Sequence, residues 1–204
     1  MPAVIVLAAY CIGSVPFAWL LVRRWGATDL RNVGSGNLGA ANVLRASGVS
    51  AGVLVAVLDV AKGAASVLLA QSLSEGAGLP AVAGLAAIVG HIYPVWLHFR
   101  GGKGVATACG AFAILAPVAA LPALVIFIGA VWLTKYVSLG SMLASLALPT
   151  IAYATSSSTP VVAAAVAACA LIVFRHRSNL ARLRIGTERR FGRRAHEVPA
   201  ARSR

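Results

Sequence analysis

The chain has 204 residues, 59% of them hydrophobic and only 11% charged, with a formal net charge of +13. Soluble domains carry about 25% charged residues, so a soluble enzyme is excluded, and the length suits one domain rather than two. Residues 175–204 hold ten Arg and two Glu, twelve of the 23 charges, which makes the molecule an apolar body with a basic tail.

The positive excess requires no nucleic acid, because basic loops retained on the cytoplasmic side of a membrane produce it. Residues 1–22 are uncharged, lack a basic leader and end at Arg23 and Arg24. They are expected to remain as a span, N-terminus outside and Arg pair inside. The next uncharged stretch is interrupted only by Asp59 and Lys62 and predicts a second helix over about 49–73. A third, over about 79–99, returns to Arg100 and Lys103. After residue 104 the chain must cross an even number of times if its arginine-rich end is to finish inside. Four crossings of about 18 residues fit, with breaks at Pro117, Pro122, Lys135 and the Ser/Thr/Pro run at 155–160. The expected fold is an all-α integral membrane protein of about seven transmembrane helices, some short, with a cytoplasmic C-terminus. It forms a single domain over 1–204, whose flexible basic tail, 189–204, is attracted to anionic membrane lipid.

Three polar segments, 23–47, 100–103 and 175–190, then share the cytoplasmic face. The first contains Gly34-Ser35-Gly36-Asn37-Leu38-Gly39, which matches the dinucleotide string GxGxxG. That motif requires a preceding strand and a βαβ unit, whereas a membrane span precedes it here. What survives is a glycine-rich loop able to turn N–H groups toward an anion, followed by a helix start at Ala40. Ser35, Gly36, Asn37 and Asn42 are its polar and backbone candidates, and Arg45 adds charge if the chain folds back.

The second segment, Arg100-Gly101-Gly102-Lys103-Gly104-Val105-Ala106-Thr107, fails as a phosphate loop of the Walker type because Gly104 stands where Ser or Thr is needed. Lys103, beside Gly102, can still approach a phosphate unobstructed, and Thr107 lies one helical turn on. His91, about 12 residues upstream, would be ~18 Å away along a straight helix, as either a deep ligand or a packed core histidine. In the third segment His176 and Asn179, three apart, share a helix face, and Glu188 has no role in a basic anchor. Asp59 and Lys62 stand at i, i+3, where mutual pairing answers the expense of a charge at mid-membrane. Their second expected role is to organise the site from beneath.

No nucleophile elbow is present, and no His is followed by an acid four residues on, the arrangement of thioester-dependent acyl transfer. The cysteines Cys11, Cys109 and Cys169 lie in apolar runs without metal-like spacing. The few acids and scattered histidines form no metal constellation, so neither metal nor cofactor is expected.

GSGNLGAANVLR at 34–45, LDVAKG at 58–63, GHIYPVWLHFRGGKGVAT at 90–107 and RHRSNLARLRIGTE at 175–188 together resemble the bacterial membrane-embedded acyl-phosphate:glycerol-3-phosphate acyltransferase family. Order, spacing and apolar surroundings match over most of the chain. Leu38 and Ala41 stand where that family usually has Pro and Thr, Tyr93 where Phe is commoner, and Arg100 in place of a Lys. The resemblance implies transfer of a fatty acyl group from acyl phosphate to the sn-1 hydroxyl of glycerol 3-phosphate, giving lysophosphatidic acid and phosphate, the first acylation of phospholipid synthesis. It implies an upstream enzyme making acyl phosphate, and a location in the cell (inner) membrane with the site facing the cytoplasm. Ser35, Gly36, Arg45 and Lys103 are expected to bind phosphate. His176 and Asn179, together with His91, are expected to orient the glycerol hydroxyl, while Glu188 holds the tail segment or the glycerol. The catalytic set is expected to be His176, Asn179, Lys103 and Ser35.

Overall fold

The computed structural model describes residues 1–24, 30–31 and 35–192. Gly34 of the first glycine loop and residues 193–204 of the expected tail therefore lie outside the described residues. Among those described there are ten α-helices and no strand. The apolar runs become α1 (Pro2–Ser14), α4 (Val49–Ser72), α5 (Gly78–Ile92), α6 (Val105–Leu115), α7 (Pro117–Thr134), α8 (Val137–Ala154) and α9 (Thr159–Arg175). The polar segments contribute α2 (Phe17–Arg24), α3 (Ala40–Ser47) and α10 (Arg177–Arg184).

Local chemistry sets the breaks. Pro16 lacks an N–H and separates α1 from α2, while Pro117 opens α7 directly after α6. Pro122, expected to be a break, sits inside α7 without ending it. Lys135 takes a left-handed conformation between α7 and α8, and Ser156 does so between α8 and α9. Among the described residues five stretches are able, by length and composition, to cross a membrane: Pro2–Arg24, Val49–Ser72, Gly78–Leu97, Pro117–Thr134 and Val137–Ala154. The pair α9 and α10, bent by 54°, makes a sixth. All seven expected segments are helical, but α6 has only 11 residues, about 16 Å of helix, and does not reach across alone.

Two of the close crossings in the bundle use a small residue from each helix. A Cβ on Gly63 of α4 would overlap the backbone of Thr107 in α6, and one on Gly110 of α6 would overlap that of Val60 in α4. Gly13 of α1 and Gly90 of α5 pair their helices in the same way. Small residues let backbones approach where lipid gives no hydrophobic drive to associate. α7 packs on α8, α8 on α9, and α9 on α5, enclosing an alanine-rich core around Ile88, Ile92, Phe112 and Leu148.

Gly110→Leu is expected to force α4 and α6 apart, lowering stability by about 1–3 kcal/mol or more. Thermal unfolding in detergent should show a clear fall in midpoint; an unchanged midpoint would contradict the close crossing.

Candidate active site

The second glycine segment is a fold-back. After α5 the chain makes a short 3-10 turn at Val95–Leu97, then reverses through His98 and Phe99, both at positive φ. Gly101 N–H donates to Ile92 O, and Gly102 N–H donates to His91 O, each at 3.1 Å. Any side chain on Gly101 would overlap the His91 carbonyl, and one on Gly102 would overlap the His91 ring. Gly104, at φ +86°, then turns the chain into α6. His91 is thus not a helix length away from Lys103, as a straight helix would have it, but directly beneath its loop.

The three polar segments converge on one cavity of about 410 Å³. Ser35, Asn37, Asn42 and Arg45 line it from the first segment, Lys103 from the second, and His176, Asn179 and Glu188 from the third. His91 and Asp59 lie on its wall as well. Gly36, Gly102 and Thr107 do not line it. Gly36 supplies a positive φ in the loop, Gly102 supplies space for His91, and Thr107, fully buried, faces α4, its hydroxyl without a partner. One helical turn from Lys103 is close in sequence, but the α6 face that Thr107 occupies packs against Gly63.

At the polar end, the Lys103 ammonium donates to Asn179 Oδ1, and Asn179 Nδ2 donates to Glu188 Oε1 at 2.6 Å. Glu188 also accepts from Ser138 Oγ and Arg182 Nε, each at 2.7 Å. Burial alone would raise the Glu188 carboxyl, but these three donors hold it below the usual range. Burial pushes Lys103 down to about 8; Glu188 opposes this, and Arg182, Arg175 and Arg45 reinforce it. Arg45, Arg182 and Arg189 also line the cavity, so with Lys103 the cations at this end outnumber Glu188, Asp59 lying deeper and paired with Lys62. Such a mouth favours an anion.

The loops are pinned by their own polar side chains. Asn42, 1% exposed, accepts from Ser35 N–H at 2.9 Å and donates to Leu30 O at 3.1 Å, holding the first loop against α3. Arg175 Nη2 reaches Gly101 O and Gly102 O at 3.4 and 3.3 Å. His176, 3% exposed, bonds Ile172 O through Nδ1 at 2.8 Å. Ser138, Ser141 and Ser145 line the cavity from one face of α8. They were not among the expected site residues, although their 3- and 4-residue spacing on an apolar helix carries the signal. Arg189 is likewise expected in the flexible tail. Instead Arg189 lines the cavity, Arg190 stacks on Tyr136, and Phe191 N–H donates to Lys135 O at 2.6 Å.

Beneath the loop lies the ionic cluster. Asp59 pairs with Lys62 at 2.8 Å, as the i, i+3 spacing predicts, and with His91 Nδ1 at 3.5 Å. Lys62 also donates to Val15 O at 2.9 Å, satisfying a carbonyl at the α1–α2 break. Asp59→Asn leaves Lys62 as an unbalanced buried cation, expected to cost about 3–5 kcal/mol. Asp59→Leu combined with Lys62→Met removes both charges and should recover much of the thermal midpoint; failure to recover would place the loss elsewhere.

Comparison with known proteins agrees with this arrangement. The family model described as glycerol-3-phosphate acyltransferase matches residues 3–186. A glycerol-3-phosphate acyltransferase of Syntrophotalea carbinolica is 46% identical over 190 residues, covering 92% of this chain and 96% of the relative. One of Anaeromyxobacter dehalogenans is 47% identical over 193 residues, covering 92% and 96%. Among solved structures, PlsY, an integral membrane glycerol 3-phosphate acyltransferase, superposes in its glycerol 3-phosphate form with a TM-score of 0.90 at 41% identity, over 94% of this chain and 96% of that one. A lysophosphatidic acid form gives 0.86 at 38% identity, over 94% and 95%. With the family's pattern running through nearly its whole length, the chain belongs to the glycerol-3-phosphate acyltransferase family.

Proposed function

We propose that the protein transfers a fatty acyl group from acyl phosphate to the sn-1 hydroxyl of glycerol 3-phosphate, releasing lysophosphatidic acid and orthophosphate. The observation that carries this reading is a single cavity with a cationic mouth and an apolar interior, lined there by Val60, Val105, Phe112, Phe127, Leu148 and Ile172. It suits a donor with phosphate at one end and a long chain at the other.

Acyl phosphate is a mixed anhydride with a good leaving group, so no acyl-enzyme intermediate is needed. The sn-1 oxygen attacks the acyl carbonyl carbon, the bond from that carbon to the phosphate oxygen breaks, and the hydroxyl proton passes to the departing phosphate. What the chain must do is hold two phosphate-bearing molecules together against their repulsion. Ser35, Arg45 and Lys103 take the phosphates, with Gly36 shaping the Ser35 loop. His176 and Asn179 orient the hydroxyl, and His91 supports them from below the Lys103 loop. Glu188 fixes Asn179, Ser138 and Arg182 in place. The reaction would be the first acylation of phospholipid synthesis, fed by an enzyme that makes acyl phosphate. The side of the membrane follows from charge: Arg23, Arg24 and the arginines after residue 174 favour the cytoplasmic face, with the chain in the cell (inner) membrane and its N-terminus outside.

Purified protein given acyl phosphate should form lysophosphatidic acid and phosphate only when glycerol 3-phosphate is present. Product from an acyl thioester alone would replace the donor, and silence with both donors would remove the reading. The pH dependence is specific. Lys103, with its pKa at about 8, is protonated below that pH and loses its charge above it, while glycerol 3-phosphate, with a second pKa of about 6, stays dianionic. KM for glycerol 3-phosphate should therefore climb above pH 8, approaching about tenfold per unit. Lys103→Arg should flatten this rise because its guanidinium stays charged, and Lys103→Ala should be nearly inactive though correctly inserted. A flat wild-type profile would remove Lys103 from the phosphate clamp.

A further inference from the structure

We propose that Phe112 is the stop that sets how long an acyl chain the cavity accepts, an inference that rests on the reaction proposed above. On α6 the cavity is lined at Val105, Ala106, Ala108, Cys109 and Phe112, and by no residue beyond. On α8 the lining ends at Leu148, and on α9 it ends at Ala168. On α7 the lining ends at Ala120, and these end residues pack in one cluster with Ala123. Phe112 is 2% exposed and has the largest of the fully buried side chains.

What lies past it gives Phe112 its leverage. The same cluster continues beyond the cavity as Ala116, Ala119, Ala152, Ala164 and Ala165 with the β-branched Val161, each no more than 6% exposed. Alanines on three helices and at the α6–α7 junction cannot extend to refill a hole, so truncating Phe112 leaves open apolar volume rather than a collapsed core. That volume is continuous with the cavity, and an apolar void accepts an apolar guest. The methyl end of a longer acyl chain is the group that reaches it, because the phosphate end is fixed at the cationic mouth.

The test is competition. Purified protein receives glycerol 3-phosphate and an equimolar mixture of medium- to long-chain saturated acyl phosphates, and the lysophosphatidic acids formed are resolved by mass. One methylene in an apolar site discriminates by about 10- to 200-fold at best, so Phe112→Ala is expected to shift the ratio of longest to shortest product by about tenfold or more toward the longest. Phe112→Leu, a smaller change that preserves the core, should shift it in the same direction by less. Ala168→Leu, which fills the end of the cavity, should shift it toward shorter chains. Product distributions identical to wild type in folded Phe112→Leu and Ala168→Leu would overturn the assignment while leaving the reaction intact. If the wild type forms no lysophosphatidic acid from any acyl phosphate, the reaction and the ruler fall together.

Discussion

The two backbone hydrogen bonds that return Gly101 and Gly102 to Ile92 and His91 are the constraint on which the site depends. Within a membrane, backbone polar groups must find partners in the protein, and this pairing satisfies the end of α5 while sending the chain back along it. α6 therefore starts at the level of the last turn of α5, where Gly104 sits against Ile88 and Ile92. A helix that starts so deep needs only 11 residues before Pro117 turns it into α7. The same reversal raises Lys103 over the cavity and places His91 under it. Arg175 reaches both glycine carbonyls from α9, which ties the third polar segment to the second.

Charge is handled differently at two levels. Deep in the bundle, Asp59 is balanced by Lys62 and His91, and the remaining hydrogen-bonding capacity of Lys62 goes to a carbonyl freed by the break before Pro16. That cluster is balanced within itself, although Asp59 and His91 also form part of the cavity wall. At the mouth the balance is deliberately incomplete: Glu188 is consumed by Asn179, Ser138 and Arg182, while Arg45, Lys103 and Arg189 face the same space. Desolvation makes that excess of positive charge unfavourable until an anion enters, which on the proposed reaction is the thermodynamic origin of phosphate affinity.

Much of this was legible in the sequence, because uncharged runs, proline positions and basic segments are local signals. The helix starting at Ala40, the Asp59–Lys62 pair and the shared face of His176 and Asn179 follow from spacing alone. The direction of the chain after His91 did not, since glycines announce a turn without saying where it leads. Asp59 meeting His91 is a contact between distant segments, invisible to periodicity. Thr107 illustrates the remaining gap: its distance from Lys103 along the helix is fixed by sequence, but the rotation of α6 about its axis is fixed by Gly63 and Gly110 packing on α4. The serine face of α8 was readable by spacing, yet serines also return their hydroxyls to the helix, as Ser141 and Ser145 do here, and so resemble ordinary membrane-helix residues.

On the proposed reaction, partition rather than a dedicated set of hydrogen bonds orients the donor. A molecule with phosphate at one end and a long chain at the other has one favourable way to occupy a cavity that is cationic near Lys103 and lined by Phe112 and Leu148 at its far end. Reversing it would bury an unpaired phosphate among alanines and expose the chain to the arginines, a penalty far beyond any single contact. The reactive carbonyl, lying between the two ends of the donor, is thereby brought to the boundary where His176, Asn179 and the serines of α8 stand. Those side chains then need only align a hydroxyl with a carbon already in position. This is why a site without a strong nucleophile, built from a short helix and three folded-back segments, suffices for acyl transfer.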